Sequence, residues 1–286
     1  MNTSDIKKVA IIGAGTMGLG IAQVFAQKGF ETLLFDLHNN ALEKAKVSIN
    51  KNLDGAIKRG KFTENEKEQT ISRLVFTTDF SLLKADFILE AILERVDLKV
   101  DLFKRLHDQN ESTTIFATNT STIPITQIGA QIPNPERLVG MHFFNPAHIM
   151  KLVEVISGVA TNQQVAQLTY DLAAQLGKSP VMAKDAPGFI VNRVARHFYV
   201  ESLKVLEENV VDHEGIDKLL ESSGFKMGPF KLMDLIGVDT NFSVTSSMFN
   251  SFHQDSKFRP SRIQEQKVFA GHNGRKTGQG FYNYQD

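Results

Sequence analysis

KKVAIIGAGTMGLGIAQVF, residues 7–25, joins a short β-branched run to a helical pattern through a glycine-rich turn. Gly13, Gly15 and Gly18 form a G-x-G-x-x-G directly after the strand Val9–Ile12 and at the opening of a helix through Ala26. The first glycine makes a tight turn, the second lets backbone approach a pyrophosphate, and the third lets helix pack closely on strand. The helix N-terminus then meets the negative charge. The next strand, Glu31–Phe35, ends at Asp36, where an acid can hydrogen-bond the adenosine ribose hydroxyls. Asp36 also repels a ribose phosphate, so these residues predict NAD rather than NADP, and His38 opposes that only mildly.

Outward from this turn, apolar runs alternate with amphipathic stretches. Val9–Ile12, Thr32–Phe35, Leu74–Thr77, Phe87–Leu89, Thr114–Ala117 and Leu138–His142 are candidate parallel strands, followed by Leu152–Ile156 and Val181–Ala183. A helix over Gln163–Leu176, stopped by Gly177, joins the last two. The rhythm predicts an α/β fold with a doubly wound, mostly parallel Rossmann-type sheet of eight strands over residues 1–185. After Asp185-Ala186-Pro187-Gly188 the spacing turns helical, in Ile190–Leu206, Ile216–Leu220 and Leu232–Phe252, which predicts a smaller all-helical domain over 186–286. The closing GHNGRKTGQGFYNY is Gly-rich, basic and then aromatic, and by composition is expected to be a frayed tail.

Composition narrows the chemistry. Of 286 residues, 42% are apolar and 22% charged, which suits a globular chain of one large or two moderate domains. Thirty-two basic and thirty-two acidic side chains cancel, so no broad positive field selects nucleic acid or an anionic membrane. The absence of cysteine excludes disulfides, thiolate metal sites and a thiol nucleophile, so redox chemistry needs a bound cofactor. The histidines show no tight ligand spacing and no metal is expected. The apolar run before Gly13 is too short for a signal peptide or membrane span, and a cytoplasmic protein is expected.

Two further segments carry reactive groups. In GMHFFNP, residues 140–146, His142 and Asn145 fall at the carboxyl edge of the sheet, where ligands sit in doubly wound folds. Glu154 lies within the apolar strand KLVEVI, and a buried carboxylate needs a partner. An imidazole held by such a carboxylate can take a proton from an alcohol near neutral pH, so His142 and Glu154 suggest a base and its orienter. Thr118-Asn119-Thr120-Ser121-Thr122 follows another strand at the same edge and offers donors to a carbonyl or alcohol oxygen. Asn192, at the start of the second-domain helix, could close over the same cleft.

GAGTMGLGIAQVFAQKGFETLLFD, LEAILERVDLK, ATNTSTIPI, GMHFFNPAHIMKLVEVI, DAPGFIVNR, GPFKLMDLIGVD and KTGQGFYNY together resemble the L-3-hydroxyacyl-CoA dehydrogenases of the 3-hydroxybutyryl-CoA dehydrogenase type. The resemblance implies His142 as catalytic base, Glu154 as its paired carboxylate, and Ser121 and Asn192 as residues touching substrate and the reacting oxygen. It assigns Glu94, Lys99, Asn145 and Lys276 to the nicotinamide cofactor; without it Glu94, Lys99 and Lys276 would be solvated charges. CoA is expected at the helical hairpin after the second strand, where NKNLDGAIKRGKF carries Asn52, Lys58, Arg59 and Lys61. Lys231 stands where the family often has an acid, which leaves local packing open. The implied activity is reversible oxidation of an L-3-hydroxyacyl-CoA, of short chain, with NAD, in a homodimer formed through the helical domain. A dehydrogenase of free hydroxy acids and a non-catalytic NAD-binding protein are the rival readings, separated by CoA dependence and by NADH consumption.

Overall fold

A computed structural model describes residues 2–284. The chain divides between Ala186 and Pro187 into two compact units. The first holds one eight-stranded sheet: β1 (Lys8–Ile12), β2 (Glu31–Phe35), β3 (Leu74–Thr77), β4 (Phe87–Glu90), β5 (Ile115–Thr118), β6 (Leu138–Phe143), β7 (Leu152–Ser157) and β8 (Ser179–Lys184). Their spatial order is β3-β2-β1-β4-β5-β6-β7-β8. The order reverses on either side of β1, the switch point at which doubly wound sheets bind ligands. Helices α1 (Thr16–Gln27), α2 (Asn39–Lys58), α3 (Glu64–Ser72), α4 (Val96–Gln109), α5 (Ile125–Gly129) and α6 (Gln163–Gln175) connect the strands.

Central strands are mostly apolar because helices cover both faces of a parallel sheet. Every residue of β4, β5 and β6 is buried, including Glu90, Thr118 and His142, whereas the edge strand β8 is largely open. Phe25, Phe87, Phe103 and Phe116 are fully buried around the sheet, each contributing roughly 1.5–3 kcal/mol by leaving water. Local rules set the helix ends. Thr63 and Glu66 form a reciprocal capping box at α3, and Gly177 (φ +76°) ends α6 as the sequence predicts.

The six candidate parallel strands pair in parallel, and β7 then runs antiparallel to β6. Only residues 144–151 separate the two, too short a link for the crossover a parallel pair requires.

The second unit is helical: α7 (Val191–Glu207), α8 (His213–Ser222), α9 (Pro229–Ile236), α10 (Val238–Ser251) and α11 (Arg262–Phe269). Two expectations are corrected here. The stretch Leu232–Phe252 is not one helix; it breaks at Gly237, whose φ of +106° lies outside the helical region. The C-terminal stretch is not frayed. Phe281 and Tyr282 donate their backbone N–H groups to the buried Asp234 carboxylate, each at 2.9 Å, and the Tyr282 hydroxyl donates to Asp217 at 2.8 Å. Composition suggested a tail because its glycines are flexible in isolation, but they let this segment fold against α9. Lys231 is also accounted for, with its ammonium 3.0 Å from Glu221 and its backbone N–H 2.9 Å from Asp217.

Candidate active site

The turn after β1 shows the physics its glycines suggest. Gly13 has φ +102° and donates its N–H to the Phe35 carbonyl at 2.8 Å, tying β1 to β2. A methyl group on Gly13 would lie 2.6 Å from the Ala91 carbonyl oxygen, and one on Gly18 would lie 1.7 Å from that of Gly13. At Gly15 nothing lies within 4 Å. The turn is thus closed where helix meets strand and open where a diphosphate would approach the start of α1. Asp36 stands at the end of β2, half-buried, accepting the Ala14 N–H and the His38 N–H at 2.9 Å each. Its carboxylate is thereby locked at the rim of the turn, and these residues fit a dinucleotide.

The strand next to β1 ends in an ion network. Lys99, on α4 and only 1% exposed, places Nζ 2.6 Å from Glu90 Oε1 and 3.2 Å from Glu94 Oε2. Glu90 also accepts the Thr118 hydroxyl and the Ile92 N–H, both at 2.7 Å. Glu94 Oε1 gathers the next loop around itself, accepting the Thr120 hydroxyl at 2.6 Å, the Ser121 N–H at 2.9 Å, and the Thr122 hydroxyl and N–H at 3.0 and 3.1 Å. Burial pushes the Glu94 carboxyl upward, but the Lys99 ammonium and these donors outweigh it and hold the group below its usual range. Burial dominates at Glu90, whose carboxyl is raised against the pull of Lys99. Lys99 lies beneath the loop and Glu94 at its rim. Glu90 was not singled out from sequence, and Thr120 only as one of the donors of residues 118–122, although an acid ending the apolar run FILE carries the same signal as Glu154 in KLVEVI.

His142 and Glu154 face each other directly across the β6–β7 pair. His142 Nδ1 lies 2.7 Å from Glu154 Oε2, with 6% and 1% of the two residues exposed. A carboxylate can only accept, so Nδ1 is the donor and the basic lone pair lies on Nε2. The Phe144 ring packs 4.5 Å from the imidazole, and the Phe143 N–H donates to Asn119 Oδ1 at 2.8 Å, joining the end of β6 to the loop that Glu94 organises. Beyond β6, Asn145 is exposed, and Lys178 donates to the carbonyls of Ala147 and Met150 at 2.6 and 2.8 Å. A dinucleotide turn, a donor loop and a carboxylate-held imidazole therefore line the carboxyl ends of β1, β5 and β6.

The sequence model of the 3-hydroxyacyl-CoA dehydrogenase NAD binding domain matches residues 8–186, and that of the 3-hydroxyacyl-CoA dehydrogenase C-terminal domain matches 188–284. The chain belongs to the 3-hydroxyacyl-CoA dehydrogenase family. It is 47% identical to the 3-hydroxyadipyl-CoA dehydrogenase of Escherichia coli over 98% of its own length and 59% of that protein's. It is 37% identical to the 3-hydroxybutyryl-CoA dehydrogenase of Clostridioides difficile, covering 97% of this chain and 99% of the relative. Among solved structures, the crystal structure of (S)-3-hydroxybutyryl-CoA dehydrogenase from Ralstonia eutropha superposes with a TM-score of 0.93 at 38% identity, covering 98% of this chain and 100% of that one.

The remaining predicted residues of this family member lie as follows. Asn192 is half-buried in the first turn of α7. Lys276 is exposed and pairs with Asp239 at 2.6 Å within the second unit. Asn52, on α2, donates to Gln23 at 3.0 Å, while Lys58, Arg59 and Lys61 are exposed at the end of that helix. Among the described residues, no three His, Asp or Glu side chains are placed to hold a metal ion, and no helix is long and apolar enough to cross a membrane.

Proposed function

We propose that this dehydrogenase interconverts a short-chain L-3-hydroxyacyl-CoA and its 3-oxoacyl-CoA, with His142 as general base. The carrying observation is the cross-strand His142–Glu154 pair at 2.7 Å, set at the carboxyl end of β6. NAD, when bound, takes up or returns the hydride of substrate carbon 3. In this reading Gly13, Gly15 and Gly18 receive its diphosphate and Asp36 its ribose, while Glu94, Lys99, Asn145 and Lys276 serve the nicotinamide half. Lys99 acts there through Glu94, since its own ammonium is buried.

His142 Nε2 removes the hydroxyl proton in oxidation and returns it in reduction. Glu154 holds the ring tautomer and stabilises the imidazolium. Ser121 and Asn192 hold the reacting oxygen, and Ser121 is positioned by its N–H bond to Glu94. Asn52, Lys58 and Arg59 receive the CoA portion, the two cations matching its phosphates. A homodimer through the helical unit and a cytoplasmic setting complete the proposal, with sedimentation and fractionation as their tests.

Steady-state NADH oxidation tests the activity. Acetoacetyl-CoA is expected to be reduced, and acetoacetate without CoA to be turned over at least about 100-fold less efficiently, because remote binding energy is lost with the carrier. Comparable turnover of the free acid would move the assignment to hydroxy acids. No NADH consumption with either compound would remove the catalytic reading.

A further inference from the structure

Glu90 is fully buried at the carboxyl end of β4 and has no part in the chemistry proposed above. It stands in register with Ile12 on β1 and Thr118 on β5, one residue from the dinucleotide turn and beside the strand that leads into the Ser121 loop. A methyl group on Gly13 would meet the Ala91 carbonyl oxygen at 2.6 Å and the Ile92 side chain at 3.3 Å, so the chain just after Glu90 walls that turn. On the other side the Asn119 N–H donates to the Glu90 carbonyl at 2.8 Å, while Asn119 Oδ1 holds the residue after His142. In the sheet, β4 lies between the strand that ends at the turn and the strand that carries His142.

Each hydrogen-bond partner of the Glu90 carboxylate donates to it: the Lys99 ammonium at 2.6 Å, the Ile92 N–H at 2.7 Å and the Thr118 hydroxyl at 2.7 Å. Thr118 Oγ1 itself accepts the Thr120 N–H at 3.3 Å, which turns the hydroxyl proton towards Glu90. Burial raises the carboxyl, and the three donors oppose it in favour of the anion. Glu94, 3.2 Å from the same ammonium, is held as an anion too. Among the described residues, Lys99 is the one cation within ion-pair reach of either carboxylate. Two negative charges therefore share one positive charge, and one negative charge is left over. A buried network serving stability alone would be balanced, because an uncompensated buried charge is costly.

The nicotinamide ring is positively charged in NAD+ and neutral in NADH, so a fixed charge near it acts unequally on the two forms. We propose that Glu90 supplies a surplus negative charge beneath the Ser121 loop that favours bound NAD+ relative to NADH, which makes NADH on this protein a stronger hydride donor. This rests on the dehydrogenase reading above, which brings the nicotinamide half to Glu94, and gives the buried Glu90 a part in it. Glu90 acts through its field and through Lys99 rather than by contact, since its carboxylate is closed off by its own donors.

The test measures dissociation constants for NAD+ and NADH by titration calorimetry in the wild type, Glu90→Gln and Thr118→Val, each checked for folding by thermal melt. Glu90→Gln removes the charge and keeps the shape. It is expected to weaken NAD+ relative to NADH by at least about ten-fold, the effect of one charge across several ångströms of partly buried protein. Thr118→Val removes a hydrogen bond and keeps the charge, so the ratio of the two constants should stay within about two-fold of the wild type even if both rise. A purely structural Glu90 would weaken both nucleotides alike in Glu90→Gln, and that unchanged ratio overturns the proposal. So does an equal shift of the ratio in Thr118→Val, which would trace it to loop geometry. If Glu90→Gln does not fold, Glu94→Gln takes the other carboxylate from the same network and should move the ratio in the same direction; no movement there overturns the proposal as well. Binding of both nucleotides with a ratio indifferent to the charge sinks this inference alone, whereas a wild type that binds neither sinks the dehydrogenase reading with it.

Discussion

His142 and Glu154 are unequal partners. In the proposed reaction the imidazole moves the proton, while the carboxylate fixes its tautomer and carries compensating charge. His142→Gln is therefore expected to lower kcat by about 100- to 10,000-fold while leaving the NAD dissociation constant within about two-fold. Equal losses in both would reject His142 as base. Glu154→Gln should cost less in kcat and shift the pH–rate profile, because an amide orients the ring without the charge. Glu94 gives a second prediction. Its carboxyl is held below the ordinary value of 4.5, so its contribution to stability is present above that pH and is lost as pH falls through the depressed folded value. The melting-temperature gap between wild type and Glu94→Gln should be open at neutral pH and close in acid. A gap of the same size at both ends would mean that shape, not charge, holds the loop.

At the scale of elements, the site depends on chain reversals more than on strands. The β6–β7 reversal sets imidazole against carboxylate, and the β1–α1 turn presents backbone where the proposal places the cofactor. A side chain at Gly18 has no room beside the Gly13 carbonyl. Gly18→Ala should weaken NAD binding by at least about ten-fold, as the turn must shift to admit even a methyl group. Isothermal titration with NAD checks this, and unchanged affinity in a folded variant would show that helix and strand can part there without cost. The loop after β6 is braced by Lys178, whose pKa burial and the nearby Lys28 draw down to about 8. Because the unfolded chain holds that proton up to 10.5, the stability difference attributable to Lys178 should rise with pH between about 8 and 10.5. Melts of wild type against Lys178→Gln across that window would show it, and a flat difference would contradict it.

For the molecule as a whole, each unit has its own buried polar anchor. In the second unit Asp217 and Asp234 are fully buried and accept backbone N–H groups from α9 and from the C-terminal segment, with tyrosine hydroxyls added. Asp234→Asn would replace an acceptor by a donor facing donors. It is expected to destabilise the second unit by about 2–4 kcal/mol. Urea denaturation followed by tyrosine fluorescence reads the loss, and a change under about 0.5 kcal/mol would mean that the segment docks through its aromatic rings instead. Tyr199, Phe230, Met233 and Phe281 make the apolar core beneath these anchors, so ring packing and carboxylate act on the same segment.

Much of the fold was legible in order. Strand positions followed from apolar runs, the dinucleotide turn from three glycines between strand and helix, and the second unit from a change of period after Pro187. These are local signals, and neighbours in sequence generate them. His142, Glu154 and Ser121 were legible as reactive types at strand ends, because a polar group in an apolar run demands a partner. The pairing of His142 with Glu154 was legible there as well, whereas the partners of the other buried charges were not. That Glu90 and Lys99 support Glu94 beneath the Ser121 loop, and that Arg196 lacks a counter-charge, are facts about which buried groups meet. The docked C-terminus belongs with them, since it depends on contacts to Asp234 and Asp217 that spacing does not encode. Local sequence sets where the chain bends and which face is apolar; burial then makes every enclosed charge find a partner, and only the packed chain determines which one it finds.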